Sequence, residues 1–302
     1  YMIDGVPVND AFGGVSAVST LEVEAVKDLE IITGTFNAEY GNAMSGVVNA
    51  VTKDGSNRFE GSLNSNYSTY ITDNKRNGEE LFIGLDPFGI NSNYDTRFNI
   101  SGPLVKDKVY FFSNFRIQDV NGHLNGVNRY QVWNLSDFYD QDTTNWTSEN
   151  TGDSMYVPMG TGNYSTYMGK VSFNLGNIKF SVMRNINNGN SKGYNHIYKY
   201  NPNGRSHQDT KTTLDMFQLN HFLNEKMFYD FRISRSENYF GSYVFRDFDS
   251  YNVLKSDGEY QGVYHFAGDT VYNYVHDKYM TAYGVGFFTG GQDKGHTQRT
   301  TT

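Results

Sequence analysis

Residues 96–118 read TRFNISGPLVKDKVYFFSNFRIQ, two stretches of alternating apolar and polar side chains on either side of a short polar break. Within each stretch the apolar members keep a two-residue spacing: Phe98, Ile100, Leu104, Val109, Phe111, Phe115 and Ile117. Successive side chains of a β-strand point to opposite faces of the sheet. The segment therefore predicts an antiparallel hairpin with one apolar face and one polar face.

The same two-residue period extends to five further segments, residues 58–70, 167–175, 177–183, 212–223 and 227–234. We therefore expect seven strands, and one more near Tyr279 to Phe288. The segment at 212–223 fits least well, because Asp215 and His221 share the parity of Phe217 and Leu219. Its register stays open at this stage.

The connections between these segments alternate in length. Short turns follow the second, fourth and sixth segments, with the sequences PLVKDK, LGN and LNEK, whereas long polar loops follow the first, third and fifth. Transmembrane β-barrels have short periplasmic turns at one end and long extracellular loops at the other. The loop pattern therefore favours a membrane barrel over a soluble sandwich.

Charged side chains in the expected strands follow the polar face: Arg97, Arg116, Lys170, Lys179, Asp230 and Arg232. A Lys or Arg that faces lipid at the bilayer midplane costs about 2–4 kcal/mol, so these residues should face the lumen. Seven strands do not close a barrel, because an open edge would leave unpaired backbone groups in lipid. We expect a mainly β protein with a partial transmembrane antiparallel barrel, and further strands that complete it.

Composition excludes several other classes of protein. The net charge is -8, and no basic stripe offers a nucleic-acid-binding surface. The absence of Cys removes disulfides and cysteine nucleophiles. The string GNSKG, residues 189–193, matches a serine hydrolase motif, but we expect it in a polar loop rather than at the strand-to-helix elbow that the motif requires. We expect no enzyme, no catalytic or metal site and no cofactor.

Residues 1–56 differ from the rest in being richer in Val and Ala, and LEIIT (29–33) and GVVNAVT (46–52) read as short buried strands. IDGVPVN (3–9) and residues 29–63 resemble the second half of the plug domain of TonB-dependent outer-membrane receptors. Within that family, AEYGNAMSGVVN (38–49) and SGPLVKDKVYFF (101–112) resemble the Oar-like, carboxypeptidase-regulatory-domain-associated branch. The residues that match the plug signature, structural in the family, are Gly34, Glu39, Tyr40, Gly41, Gly46, Asn49, Thr52 and Lys53.

The resemblance implies a fragment with the C-terminal part of a small α/β plug at 1–56 and the first barrel strands at 57–302, about 7–8 of an expected 22. It also implies the cell outer membrane of a Gram-negative bacterium, contact with outer-membrane lipid, and an unknown extracellular substrate. Import would follow from plug rearrangement driven by TonB, which would act through a missing N-terminal segment.

Two alternatives remain open from the residues alone. One is a passive outer-membrane porin, and the other is a soluble, aromatic-rich β adhesin or carbohydrate-binding protein, whose Phe and Tyr faces would pack into a closed core. The aromatic residues Trp133, Phe138, Tyr139 and Trp146 of the second long loop are a candidate ligand platform, or pack that loop onto its neighbours.

Overall fold

The protein is described by a computed structural model at residues 1–8, 21–33, 46–73, 75–85, 93–131, 136–137, 141–145, 147–148, 150–243 and 293–301. Two sheets form the framework of these residues. No helix among them has the length and apolar character needed to cross a membrane.

The first sheet has four short strands, β1 (Met2–Ile3), β2 (Val6–Pro7), β3 (Val26–Ile32) and β4 (Val47–Thr52). Its order is β2-β1-β4-β3, in which β1 runs parallel to β4 and the other pairs are antiparallel. β3 and β4 confirm the two strands expected at 29–33 and 46–52. The expected burial is confirmed for β4 but is wrong for β3, where Leu29 is 52% and Ile31 64% exposed. The segment between them, residues 34–45, lies outside the described part of the chain.

The second sheet has eight antiparallel strands, which follow one another in space in chain order. They are β5 (Glu60–Ser68), β6 (Asn93–Val105), β7 (Val109–Asn121), β8 (Thr161–Leu175), β9 (Ile178–Lys192), β10 (His207–Asn224), β11 (Met227–Tyr243) and β12 (Asp293–Thr301). This meander confirms the partial antiparallel barrel and all seven expected strands. The further strand expected near Tyr279 to Phe288 falls outside the described residues.

Several strands run farther toward the long loops than the apolar period predicts. β9 continues to Lys192 and β11 to Tyr243, through stretches rich in Asn, Ser and Gly. These residues carry no apolar alternation, yet their backbone groups still complete the ladder with β10. One consequence is that Gly189 to Lys192 of the hydrolase-like string lie in a strand, so the expectation of a loop there is wrong.

The long connections carry small antiparallel pairs of their own. These join Lys75–Arg76 with Glu79–Glu80, Asn125–Val127 with Tyr156–Pro158, and Ser136–Asp137 with Thr147–Ser148. The loop ends of the sheet are therefore partly structured.

The register of β10 resolves the ambiguous segment. Phe217 pairs with Val182 on one side and Ile233 on the other, so Asp215 lies on the same face as the aromatic residues. Its carboxylate accepts two hydrogen bonds from Arg184, at 2.6 and 2.9 Å. Opposite charges on neighbouring strands thus satisfy each other at that position.

Some charged residues depart from the polar face, and four of them are Arg184, Asp215, Arg235 and Glu237. Arg235 also donates to Glu237, so each charge has a partner on the same face. All four lie nearer the long loops than Val182, Phe217 and Ile233. Near the edge of the apolar band a charge costs only about 0–1 kcal/mol, which accounts for their tolerance there.

The large sheet has one buried face and one exposed aromatic face. Met168, Met183 and Leu214 are buried in a single cluster with Ile3 and Ala50 of the small sheet. On the opposite face Leu63 is 71% and Phe231 50% exposed. Stacked rings such as Phe173 and Phe180, at 4.2 Å between centroids, lie on that face, and no second layer covers it among the residues that the structure describes. The core therefore lies between the two sheets.

Candidate functional site

The contact between the two sheets begins at the turn that joins β1 to β2. Asp4 and Gly5 both have positive φ, 47° and 77°, as the Asp-Gly turns of two-residue hairpins require. The turn aims the Asp4 carboxylate at the end of β4. There it accepts hydrogen bonds from the Thr52 amide at 2.8 Å and the Thr52 hydroxyl at 2.5 Å.

A lysine from the large sheet completes this cluster. Lys170 of β8 is 5% exposed, and its ammonium lies 2.9 Å from the Thr52 hydroxyl, 3.3 Å from Asp4 and 3.0 Å from Asp54. Removing one partner of a buried ion pair leaves an uncompensated charge, which costs about 3–5 kcal/mol. We name Asp4, Thr52, Asp54 and Lys170 the lysine latch.

The turn also touches two other strands of the large sheet. The Gln218 side-chain amide of β10 donates to the Asp4 carbonyl at 2.7 Å. At Gly5, an added Cβ would lie 2.0 Å from a guanidinium nitrogen of Arg232 on β11. Glycine thus allows the turn to approach β11 closely, and the turn contacts β8, β10 and β11 together.

A second polar cluster lies at the other end of the contact. Arg116 of β7 donates two hydrogen bonds to the Asp95 carboxylate of β6, at 2.8 and 2.9 Å, and two to the Glu22 carboxylate, at 3.0 and 3.3 Å. Arg97 contacts Asp95 at 2.8 Å, and the Asn99 amide donates to Glu24 at 3.1 Å. We name Glu22, Asp95 and Arg116 the arginine latch.

Together the two latches hold the small sheet against the polar face of the large one. Lys170, Arg116 and Arg232 are among the charges that the sequence assigns to the lumen, and all three lie on the face that meets the small sheet. Asp4 and Glu22, the carboxylate partners of Lys170 and Arg116, are not predictable from the sequence, where Glu22 looks like a solvated surface residue. The sequence does contain the other half of this contact, namely a lumen-facing cation with no carboxylate partner in its own strand.

The described plug-signature residues support the backbone of the small sheet. Asn49 accepts from the Gly5 amide and donates to Glu30, each at 2.9 Å, and the Lys53 amide donates to the Ala25 carbonyl at 2.9 Å. Gly46 directly precedes β4. Gly34, Glu39, Tyr40 and Gly41 lie outside the described residues, as do Trp133, Phe138, Tyr139 and Trp146 of the candidate platform.

After β4 of the small sheet, the chain passes close beside β7 at Gly55. An added Cβ at Gly55 would lie 2.3 Å from the Phe111 carbonyl oxygen. No other residue type fits this passage without moving the backbone. In the described part of the chain, no cluster of three or more His, Asp or Glu residues could hold a metal ion.

Comparison with known proteins relates the first residues of the chain to a known family. Residues 1–47 match the TonB-dependent Receptor Plug Domain family. The chain is 38% identical over 117 residues to the "TonB-dependent transporter Oar" of Myxococcus xanthus, a match that covers 38% of this chain and 11% of that protein. It is 29% identical over 121 residues to the "Probable TonB-dependent siderophore receptor PirA" of Acinetobacter baumannii, which covers 36% of this chain and 14% of that protein.

The matched region is therefore between a tenth and a seventh of the length of these curated relatives. No solved structure matches the chain. In the structure, the segment that matches the plug family is held by ion pairs against an antiparallel sheet whose other face is aromatic and exposed. The first part of the chain is thus similar to TonB-dependent receptors, and residues that match the plug family are followed by strands of a partial β-barrel.

Proposed function

We propose that this chain serves in an outer-membrane receptor that imports a bound substrate when TonB rearranges the plug. Residues 1–56 are its plug portion and residues 57–302 its barrel portion in this proposal. The observation that carries it is the pair of latches, since a plug that must move needs polar contacts that water can replace. Named relatives with TonB-dependent transport or receptor roles support the same class.

The passive porin is less well supported. A porin needs an open lumen, whereas buried Ile3 and Ala50 pack against Met168 and Leu214 on the inner face. The soluble adhesin would bury its aromatic face in a closed core, and Phe231 is half exposed. Lipid contact therefore suits this face better.

Thiol accessibility in living cells tests the proposal. Ala50 is 1% exposed and lies in β4, so a Cys there should react with a maleimide only when the plug moves. The chain has no Cys of its own. We expect Ala50→Cys to be labelled several-fold faster in cells with TonB than in cells that lack it.

Ser68→Cys is the matched control, because Ser68 ends β5 and is exposed in the resting structure. Its labelling should not depend on TonB. Equal labelling of Ala50→Cys with and without TonB would contradict driven rearrangement and favour the porin. Recovery of the receptor from the soluble periplasm would favour the adhesin.

A further inference from the structure

A cavity of about 530 Å³ opens where β8, β9 and β10 end at the long loops. The strand residues that line it include Tyr164, Ser191 and Gln208. These share the parity of the buried, plug-facing Met168, Met183 and Leu214 on the same three strands. Lys192 also lines the cavity but has the opposite parity to Ser191, that of Phe180 and Val182, so the cavity lies at the loop ends of these strands and takes side chains from both faces.

Two cations meet in this cavity without a carboxylate. Lys192 is half-buried and donates to the Pro202 carbonyl at 3.0 Å, and the Arg205 guanidinium donates to the Gly193 carbonyl. Neither forms an ion pair among the described residues. The described lining has no Asp or Glu at all.

Holding two positive groups together in a partly dry site is unfavourable. Lys192 is the last of the 15 residues of β9, beyond the roughly 9–11 residues that a strand needs to cross a bilayer. Burial lowers the pKa of its ammonium, and the charge of Arg205 lowers it further. A bound anion would offset both effects.

The remaining lining suits the same kind of ligand. Ser191, Ser206 and Tyr164 offer hydroxyls, and Gln208 offers an amide N–H. A planar guanidinium beside an ammonium matches the oxygens of a carboxylate or a phosphate. Neutral donors around two cations are what a desolvated oxyanion requires.

We propose that the cavity between Lys192 and Arg205 binds an anionic oxygen group of the substrate, a carboxylate or a phosphate. The inference rests on the proposed receptor function for the position of the cavity on the substrate's side of the plug. Binding itself needs no energy source, so it can be measured on the purified receptor without TonB.

Calorimetric titration of the whole receptor in detergent, with citrate and inorganic phosphate as separate probes, tests the proposal. We expect Lys192→Gln and Arg205→Gln each to weaken binding about tenfold or more, since each removes a charge-assisted hydrogen bond. Arg205→Lys keeps the charge and should lose less. Lys211→Gln is the matched control, because Lys211 is exposed on β10 and does not line the cavity.

The possible outcomes distinguish the chemical classes of ligand. Binding of citrate alone indicates a carboxylate site, binding of phosphate alone a phosphate site, and binding of both an unselective oxyanion site, provided that the two variants weaken it and the control does not. Binding of neither probe, or equal weakening by Lys211→Gln, overturns the proposal. Unchanged thermal unfolding midpoints show that the variants fold.

Failure here leaves the proposed transport intact. Conversely, TonB-independent labelling of Ala50→Cys would remove the transport proposal and leave a measured anion affinity unaffected.

Discussion

Replacing Lys170 by Met tests whether the lysine latch holds the plug to the barrel wall. Met keeps much of the side-chain volume and removes the ammonium, which lies within 3.3 Å of three partners. Loss of one partner from a buried pair costs about 3–5 kcal/mol. Asp4 keeps two hydrogen bonds from Thr52, and Asp54 is 49% exposed and regains water.

The cost should therefore fall at the lower end of that range, about 3 kcal/mol, which corresponds to roughly a hundredfold rise in the local opening equilibrium. Hydrogen exchange of the Thr52 amide in the whole receptor measures it, because this N–H is bound to Asp4 within the latch. Lys170→Met should speed that exchange about a hundredfold, while amides at the centre of β9 stay protected.

Lys179→Met is the matched control. Lys179 lies on the same polar face, in neighbouring β9, and forms no ion pair among the described residues. Acceleration of Thr52 exchange by less than about threefold in Lys170→Met, or equal acceleration in Lys179→Met, would refute the reasoning, because the latch would then add nothing to plug seating.

Three further changes have defined outcomes. Gly55→Ala should lower the free energy of unfolding by about 1–3 kcal/mol, because the new methyl group meets the Phe111 backbone. Chemical denaturation measures this free energy, and an unchanged value would mean that the backbone shifts freely. The pKa of Asp153 is lowered chiefly by the Met155 amide, so this carboxylate stabilises its loop above its unfolded pKa, and that contribution is lost as pH falls through the lower folded value. The protection factor of the Met155 amide, measured against its intrinsic exchange rate, should therefore fall in strong acid and should not depend on pH in Asp153→Asn. Asp215→Asn leaves the Arg184 guanidinium of β9 without its carboxylate partner on the aromatic face. It should lower the free energy of unfolding in lipid vesicles by up to about 1 kcal/mol, and by nothing if that face is covered by water.

The two-residue period predicts most of the large sheet, because a pleated strand with one wet and one apolar face leaves a local signature. Residues 96–118 contain all the information needed for β6 and β7. The period fails where both faces are polar, as beyond residue 183 in β9. The partner of Asp215, Arg184, lies in that extension, so the register of β10 could not be settled from the sequence.

Only the large-sheet residues of the two latches can be predicted from the sequence. Parity places Lys170 and Arg116 on the inner face from strand geometry alone. Their partners Asp4 and Glu22 lie 166 and 94 residues away along the chain, and no local pattern links such distant positions. Only the way the small sheet lies on the large one brings the charges together.

The lysine latch also has a consequence for how water enters the lumen. Asp4 follows β1 of the small sheet and Thr52 ends β4. Both side chains contact the Lys170 ammonium on β8. If either strand moves away from β8, the Lys170 ammonium loses one of its polar partners and must be hydrated. Water that solvates it also solvates the remaining strand's polar groups, so the first departure lowers the barrier to the second, and local wetting is expected to be cooperative.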